Sequence, residues 1–265
     1  MHDQSFLSII VPTHKRAYLL RRTLLSIKEQ SFKNVQIIVI SDVADLPTMQ
    51  VCHELLGPTD TFIKRTGMRG PSASRNLGLE LAVGKYVMFI DDDDTYQLEA
   101  LAKIFHTLST RSAEIVFFDC TVVNESRVDG QAVQLSEVEL DLSRRYTDDI
   151  LVKNCIHMSC IAFPRYLLQG LRFDPHMRAY EDWDFMLAAM KAAPVAHFPM
   201  SVTRVHEVHD ATTDRRGAST AANDFNAVLD YIYVYRRHPG PSPAVREKRR
   251  QLLLTCKLDI PAYCL

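Results

Sequence analysis

Four consecutive aspartates, Asp91 to Asp94, follow the apolar run Lys85-Tyr86-Val87-Met88-Phe89-Ile90. Carboxylates crowded at the polar end of a buried strand repel one another unless a cation or water takes up their charge. Magnesium and manganese favour oxygen ligands and keep coordination sites for phosphate oxygens, so the run reads as a metal clamp for a diphosphate. A solvated acidic turn that caps a helix starting near Gln97 would show the same residues. Glu181-Asp182 precedes the aromatic stretch Trp183-Asp184-Phe185, where acids in a first helical turn are favoured by the helix dipole. In Arg69-Gly70-Pro71-Ser72 and Arg75-Asn76, Gly70 permits an unusual backbone turn, and Ser72 can cap a helix whose amides face an anion. His206 and His209 complete the set: a neutral imidazole ligates manganese, or is simply hydrogen-bonded structure.

The elements that must position these residues are regular over the first hundred positions. Apolar runs at 6–11, 35–40, 61–63 and 85–90 read as strands, and helical spacing covers 18–31, 45–56 and 72–83. Strands separated by single helices imply parallel pairing with right-handed crossovers, and ligands then bind beyond the carboxyl ends of the strands. Thr13-His14-Lys15-Arg16, Ser41-Asp42 and the aspartates all fall at such ends. The second half is less regular. It suggests a helix over 98–108, a strand over 114–118, a polar hairpin around Asp129-Gly130, a strand over 158–163 and a helix over 183–192. One or two strands over 195–205 and helices over 224–237 and 245–257 complete it.

Bulk properties narrow the function classes. A net charge of −1 over 265 residues provides no broad basic field for nucleic acid. No apolar run approaches bilayer-spanning length. Met1-His2-Asp3-Gln4 lacks the basic-then-apolar order of a signal peptide, so a cytoplasmic location is expected. The 6 cysteines contain no C-x-x-C pair, which suits free thiols in a reducing compartment better than zinc.

Three stretches together resemble the family 2 glycosyltransferases of the GT-A fold: Ser8-Ile9-Ile10-Val11-Pro12-Thr13, Arg69 to Gly78, and Gly84 to Asp94. With Glu181-Asp182 and the Arg204-Val205-His206 segment, the resemblance covers residues 5 to 210. It implies an α/β fold with a Rossmann-like mixed sheet flanked by helices: a GT-A domain over 1–215, divided into a nucleotide-sugar half (1–95) and an acceptor half (96–215), with a helical extension over 216–265. By position Asp91 and Asp93 match the acids of the family's D-x-D motif. That makes Asp93 the foremost metal ligand, with Asp91 second and His206 a third candidate for Mn2+ or Mg2+. Pro12, Thr13, Arg16, Asp42, Arg69, Arg75, Asp91 and Asp92 would line the donor, taken as a UDP-sugar, with Arg204 a phosphate contact. His14-Lys15 and Ser41-Asp42-Val43-Ala44 depart from the family's usual Tyr-Asn and Asp-Asp-Gly-Ser. Asp182 matches the general base and Glu181 its orienting neighbour. One base facing a metal-bound diphosphate implies inversion, because that leaving group needs no second carboxyl to protonate it.

The implied reaction is sugar transfer to an acceptor hydroxyl of a glycan or lipid-linked glycan in surface polysaccharide synthesis. Two other readings fit parts of the pattern. Asp91-x-Asp93 also matches the opening of haloacid-dehalogenase-like magnesium phosphatases, and the same fold could bind a sugar nucleotide without turning it over. Trp183 could stack on an acceptor or pack the core. Arg246, Lys248, Arg249 and Arg250 before Leu252-Leu253-Leu254 could touch the inner face of a membrane or another protomer, or pack the leucines inward.

Overall fold

The computed structural model describes residues 5–43, 45–111, 114–128, 131–208 and 225–265. Strand and helix alternate at first: β1 (Leu7–Thr13), α1 (Ala17–Lys28), β2 (Val35–Ser41), α2 (Leu46–Leu55), β3 (Thr61–Lys64), α3 (Pro71–Leu81) and β4 (Tyr86–Phe89). β1 pairs in parallel with β2 and β4, and β2 with β3, as single-helix crossovers require. Beyond β4 come β5 (Thr95–Tyr96), α4 (Ala100–Ser109), the long β6 (Ile115–Val128), β7 (Gln131–Leu140), β8 (Ile161–Pro164), α5 (Glu181–Met190) and β9 (Val195–Val208). One mixed sheet results, in the order β3-β2-β1-β4-β8-β6-β9-β5, with β7 alongside β6.

Period-2 alternation divides the core. Ile9, Val11, Met88 and Ile90 face α1 and α4, meeting Leu20, Leu24, Leu101 and Ile104. Ile10, Val87 and Phe89 face the other way, onto Trp183 and Phe185 of α5. Gly78 lets α3 lie tightly on β1, since a Cβ there would stand 2.5 Å from the Ile10 side chain.

The expected strand over 158–163 is shorter than the sequence suggests. Met158–Cys160 forms a 3-10 turn, and β8 occupies the residues after it. The hairpin's expected turn at Asp129-Gly130 lies outside the described residues, although β6 and β7 pair on either side of it. The expected boundary at 215 and His209 also lie outside them. α6 (Phe225–Arg237) and α7 (Pro243–Thr255) pack Val234, Tyr235 and Leu253 into the same core as Trp183. Trp183 is fully buried and donates Nε1–H to Ile150 O at 2.7 Å, which makes it core rather than a sugar platform.

The basic stretch of α7 is tied inward. Arg249 is fully buried, donates to the carbonyls of Leu151, His238 and Leu265 at 2.8 Å each, and lies over the Tyr235 ring. Burial lowers its guanidinium to about 10. Arg246 binds Gly240 O, Lys248 pairs with Asp149, and Arg250 with Asp259. Membrane contact through this segment therefore gains no support. No helix among the described residues is long and apolar enough to cross a membrane.

Candidate active site at the carboxyl ends of the strands

The aspartate run turns sharply after β4, with Asp94 N–H donating to Asp91 O at 3.0 Å, and its members part company. Asp92 is fully buried; it accepts Thr13 Oγ1–H at 2.6 Å and is paired with Arg16. Asp94 is buried beneath the loop, accepting from Ser159 Oγ at 3.1 Å and from the His206 amide at 3.0 Å. Asp91 and Asp93 face outward, their side chains 50% and 17% exposed. Burial pushes the Asp92 carboxyl up to about 6 against the pull of Arg16, and pushes Asp94 well above the ordinary range. Asp92, expected beside the donor, is thus enclosed by Thr13 and Arg16.

Arginines stand against the outward acids. Asp93 Oδ2 accepts from Arg16 Nη1 at 3.0 Å and from both Arg127 Nη atoms at 3.1 Å. Arg75, buried at α3, donates to Asp91 at 2.8 Å and to Glu181 at 2.9 Å. Gly70, at φ 129°, provides the turn that starts α3; it occupies the N-cap position, so Ser72 does not cap the helix. Asn76 braces the next loop through paired bonds with the Phe173 backbone at 2.8 Å.

Glu181 and Asp182 open α5 behind Tyr180, whose φ of 62° is a strained setting for a tyrosine. Asp230 of α6 holds that approach, its Oδ2 accepting the Arg178 and Ala179 amides at 2.9 Å. Asp182 accepts from Asn154 at 3.2 Å and from the Trp183 amide at 2.7 Å. Burial pushes Glu181 up to about 7, with Arg75 opposing and Asp182 adding to the rise; Asp182 is raised as well, again by burial first.

On the nucleotide side, Pro12 and Thr13 end β1 against Ile40 and Ser41. Asp42 is buried between His14, at 2.5 Å, and the Gly70 amide, at 2.9 Å. Arg65, not Arg69, sits beside Asp42, at 3.8 Å, and bonds Ser74 and Gly70 O. Arg69 is exposed at the surface. The His206 ring is held within the protein. Its Nδ1 meets Glu125 at 2.8 Å and its Nε2 meets Thr95 at 3.1 Å, so both nitrogens are engaged away from Asp91 and Asp93. Arg204 pairs with Glu137 of β7.

Sequence reasoning missed Arg22, Glu125 and Arg127. Glu125 gathers Arg22, Arg127 and His206, at 2.7, 2.8 and 2.8 Å. Burial works to raise its carboxyl, but those three bonds hold it well below the usual carboxylate range. A cleft of about 610 Å³ beside α1 includes Tyr18, Arg22, Glu125, Gln134 and His206, but none of Asp91, Asp93, Arg75, Glu181 and Asp182. The acids that could do chemistry are therefore outside this cleft.

The donor set fits a hard divalent cation. Asp91 and Asp93 both offer partly exposed carboxylate oxygens just after β4, and carboxylates are the oxygen ligands such a cation favours.

The profile of the family described as Glycosyl transferase family 2 matches residues 8–169. A Campylobacter jejuni protein named GalNAc(5)-diNAcBac-PP-undecaprenol beta-1,3-glucosyltransferase is 30% identical over 172 residues. That alignment takes in 63% of this chain and 54% of the relative, so the match spans about half the relative's length. S. aureus TarS in complex with UDP-GlcNAc superimposes with a TM-score of 0.66 at 18% identity, covering 94% of this chain and 72% of the other. The mannosyltransferase PcManGT of Pyrobaculum calidifontis, in complex with GDP-Man and Mn2+, gives 0.62 at 18%, covering 99% and 78%.

Proposed function

The chain belongs to glycosyl transferase family 2, and on that premise we propose that it moves a sugar from a UDP-sugar to a hydroxyl of a lipid-linked glycan, with inversion, in surface polysaccharide synthesis. The observation that carries this reading is the buried guanidinium of Arg75, which joins Asp91 of the aspartate run to Glu181 of the Glu181-Asp182 pair. A diphosphate held at Asp91 and Asp93 would therefore lie beside a carboxylate able to take a proton.

Each residue has a role. Asp182, raised by burial and oriented by Asn154 and the Trp183 amide, removes the proton from the acceptor hydroxyl as its oxygen attacks the anomeric carbon. The bond to the diphosphate oxygen breaks in the same step, and inversion follows from attack opposite the leaving group. Glu181 fixes Arg75 and the start of α5. Asp91 and Asp93 are the residues that would hold Mn2+ or Mg2+. A cation bound there supplies positive charge to the departing diphosphate. Thr13 and Arg16 position Asp92 and, with Asp42 and His14, frame the base and ribose.

The relatives support the finer parts of the proposal. The Campylobacter protein's name specifies a glucosyltransferase with an undecaprenyl-diphosphate acceptor. TarS was solved with a UDP-sugar and PcManGT with Mn2+. A lipid-linked acceptor would bring the reaction to a membrane surface.

A donor screen with Mn2+ or Mg2+, read by nucleotide release and product mass, tests this function. Sugar transfer by the wild type, abolished in Asp182→Asn and Asp93→Ala, is the expected result. Full activity in either variant overturns the site. UDP binding without turnover would favour the non-catalytic reading, and phosphate release from a monoester the phosphatase.

A further inference from the structure

Among the described residues, Arg127 differs from the other guanidinium groups around the aspartate run in placing both terminal nitrogens on one carboxylate oxygen. Arg16 divides itself between Asp92 and Asp93, and Arg75 between Asp91 and Glu181. Arg22 is held by Glu125 and the Asp93 carbonyl. Arg127 is anchored by Nε on Glu125 at 2.8 Å, while Nη1 and Nη2 both point at Asp93 Oδ2 at 3.1 Å. Its side chain is only 13% exposed.

The anchor is firm for its own reasons. Glu125 is buried and also held by Arg22 and His206. The β6–β7 register shifts between Asn124 and Glu125, and such an irregularity re-aims the side chains that follow it. Glu125 and Arg127, two apart on one strand, share a face. The hairpin thus presents a pre-oriented fork to the aspartate proposed to hold metal.

We propose that Arg127 is a diphosphate-binding residue kept on Asp93 until metal and donor arrive. The inference rests on the reading of Asp93 as a metal ligand. A cation held by Asp93 would add positive charge beside the two guanidinium groups already on that carboxylate, and would repel them. Arg16 retains Asp92. Arg127 keeps Glu125 through Nε and turns its Nη pair outward, where a bridging diphosphate would meet it in the two-pronged geometry guanidinium groups favour. Arg127 accordingly opposes binding of metal alone and favours the metal with its nucleotide.

The test uses the full chain and two titrations: Mn2+ alone, followed by electron paramagnetic resonance, and UDP at saturating Mn2+, followed by calorimetry. Arg127→Ala should bind Mn2+ alone more tightly, by about tenfold, and UDP more weakly, by about tenfold, the effect of one charge-assisted contact in each case. Arg127→Lys should lie between, because an ammonium keeps the charge and loses the fork. Mn2+ affinity that is unchanged or weaker in Arg127→Ala overturns the proposal, as does unchanged UDP affinity. Arg127→Gln carries the same two arms if Arg127→Ala does not fold. Asp93→Ala separates the premise: wild-type Mn2+ affinity in that variant removes Asp93 as a ligand and ends both readings, whereas lost affinity upholds the premise, so that the Arg127 variants alone decide.

Discussion

Asp91 and Glu181 share one guanidinium: Arg75 reaches the first with Nη2 at 2.8 Å and the second with Nη1 at 2.9 Å. Its Nε is buried and has no hydrogen-bond partner among the described residues, so these two acids take the hydrogen bonds of the group. The β4 loop and the start of α5 are thereby fixed to each other across the proposed donor site.

Removing that bridge should damage stability and chemistry together. Arg75→Ala leaves Glu181 buried without its countercharge and should cost about 3 kcal/mol, the low end for breaking such a pair because Asp91 is half exposed. Arg75→Lys keeps the charge but spans only one acid. It should fold, with kcat reduced roughly a hundredfold through misplacement. Thermal melts and donor kinetics read the two effects separately.

The four aspartates should respond differently to substitution. Asp93→Asn is expected to fold and to lose Mn2+ binding measured directly. Asp94, pushed upward by burial, should tolerate Asn, which resembles its neutral form. Asp94→Ala should lose about 1–3 kcal/mol, because the His206 amide and the Ser159 hydroxyl are left without their acceptor. Equal destabilisation by Asn and Ala at Asp94 would contradict this.

Acidity offers another check. Glu181 is raised to about 7 and Asp182 is raised beside it, so they titrate as a pair. Proton removal needs the ionised form of Asp182, which burial raises, so kcat/KM should rise with pH over a range above that of an ordinary carboxylate. Glu181→Gln removes a neighbouring negative charge and should move the rise to lower pH. For stability the sign reverses. A carboxyl whose folded value exceeds its unfolded one binds more protons when folded. The metal-free protein should thus lose stability between pH 4.5 and about 7, and melts across that window would show it. A flat profile would argue against the buried pair.

Asp230 should act on the reaction without touching the donor. Its carboxylate holds the Arg178 and Ala179 amides just before Tyr180. Asp230→Ala should lower kcat by about tenfold through a looser Asp182, while the Kd for UDP with Mn2+ stays put. A parallel loss of UDP binding would mean that the change has spread beyond the α5 approach.

Much of the frame was legible because the first four strands announce themselves as apolar runs and their carboxyl ends carry polar clusters. The division of the aspartate run was not. Alternation along an extended chain would favour Asp91 and Asp93 together, but burial of Asp92 depends on Thr13 and Arg16, and burial of Asp94 on Ser159 and β9. Glu125 and Arg127 were invisible because a polar strand with alternating charges reads as a solvated face. The available signal was their spacing of two, which puts both on one side of β6. The partners of His206 were hidden for a related reason: they are set by β6–β9 pairing, with Val123 opposite His206, which its local sequence does not reveal. Arg249 looked like surface charge because nothing in its helix foretells three carbonyls converging on it.

The packing of α6 and α7 onto α5 has a consequence for how the molecule comes into being. Asp230 sets the loop before Tyr180, Arg237 and His238 both bind Asp184, and Arg249 ties Leu151 to Leu265. A chain emerging from the ribosome folds its N-terminal units first. The parallel strands can therefore form early, while the turn bearing the proposed base waits for α6 and α7, which are made after it. The nascent protein would shape its proposed donor pocket before its ability to activate an acceptor.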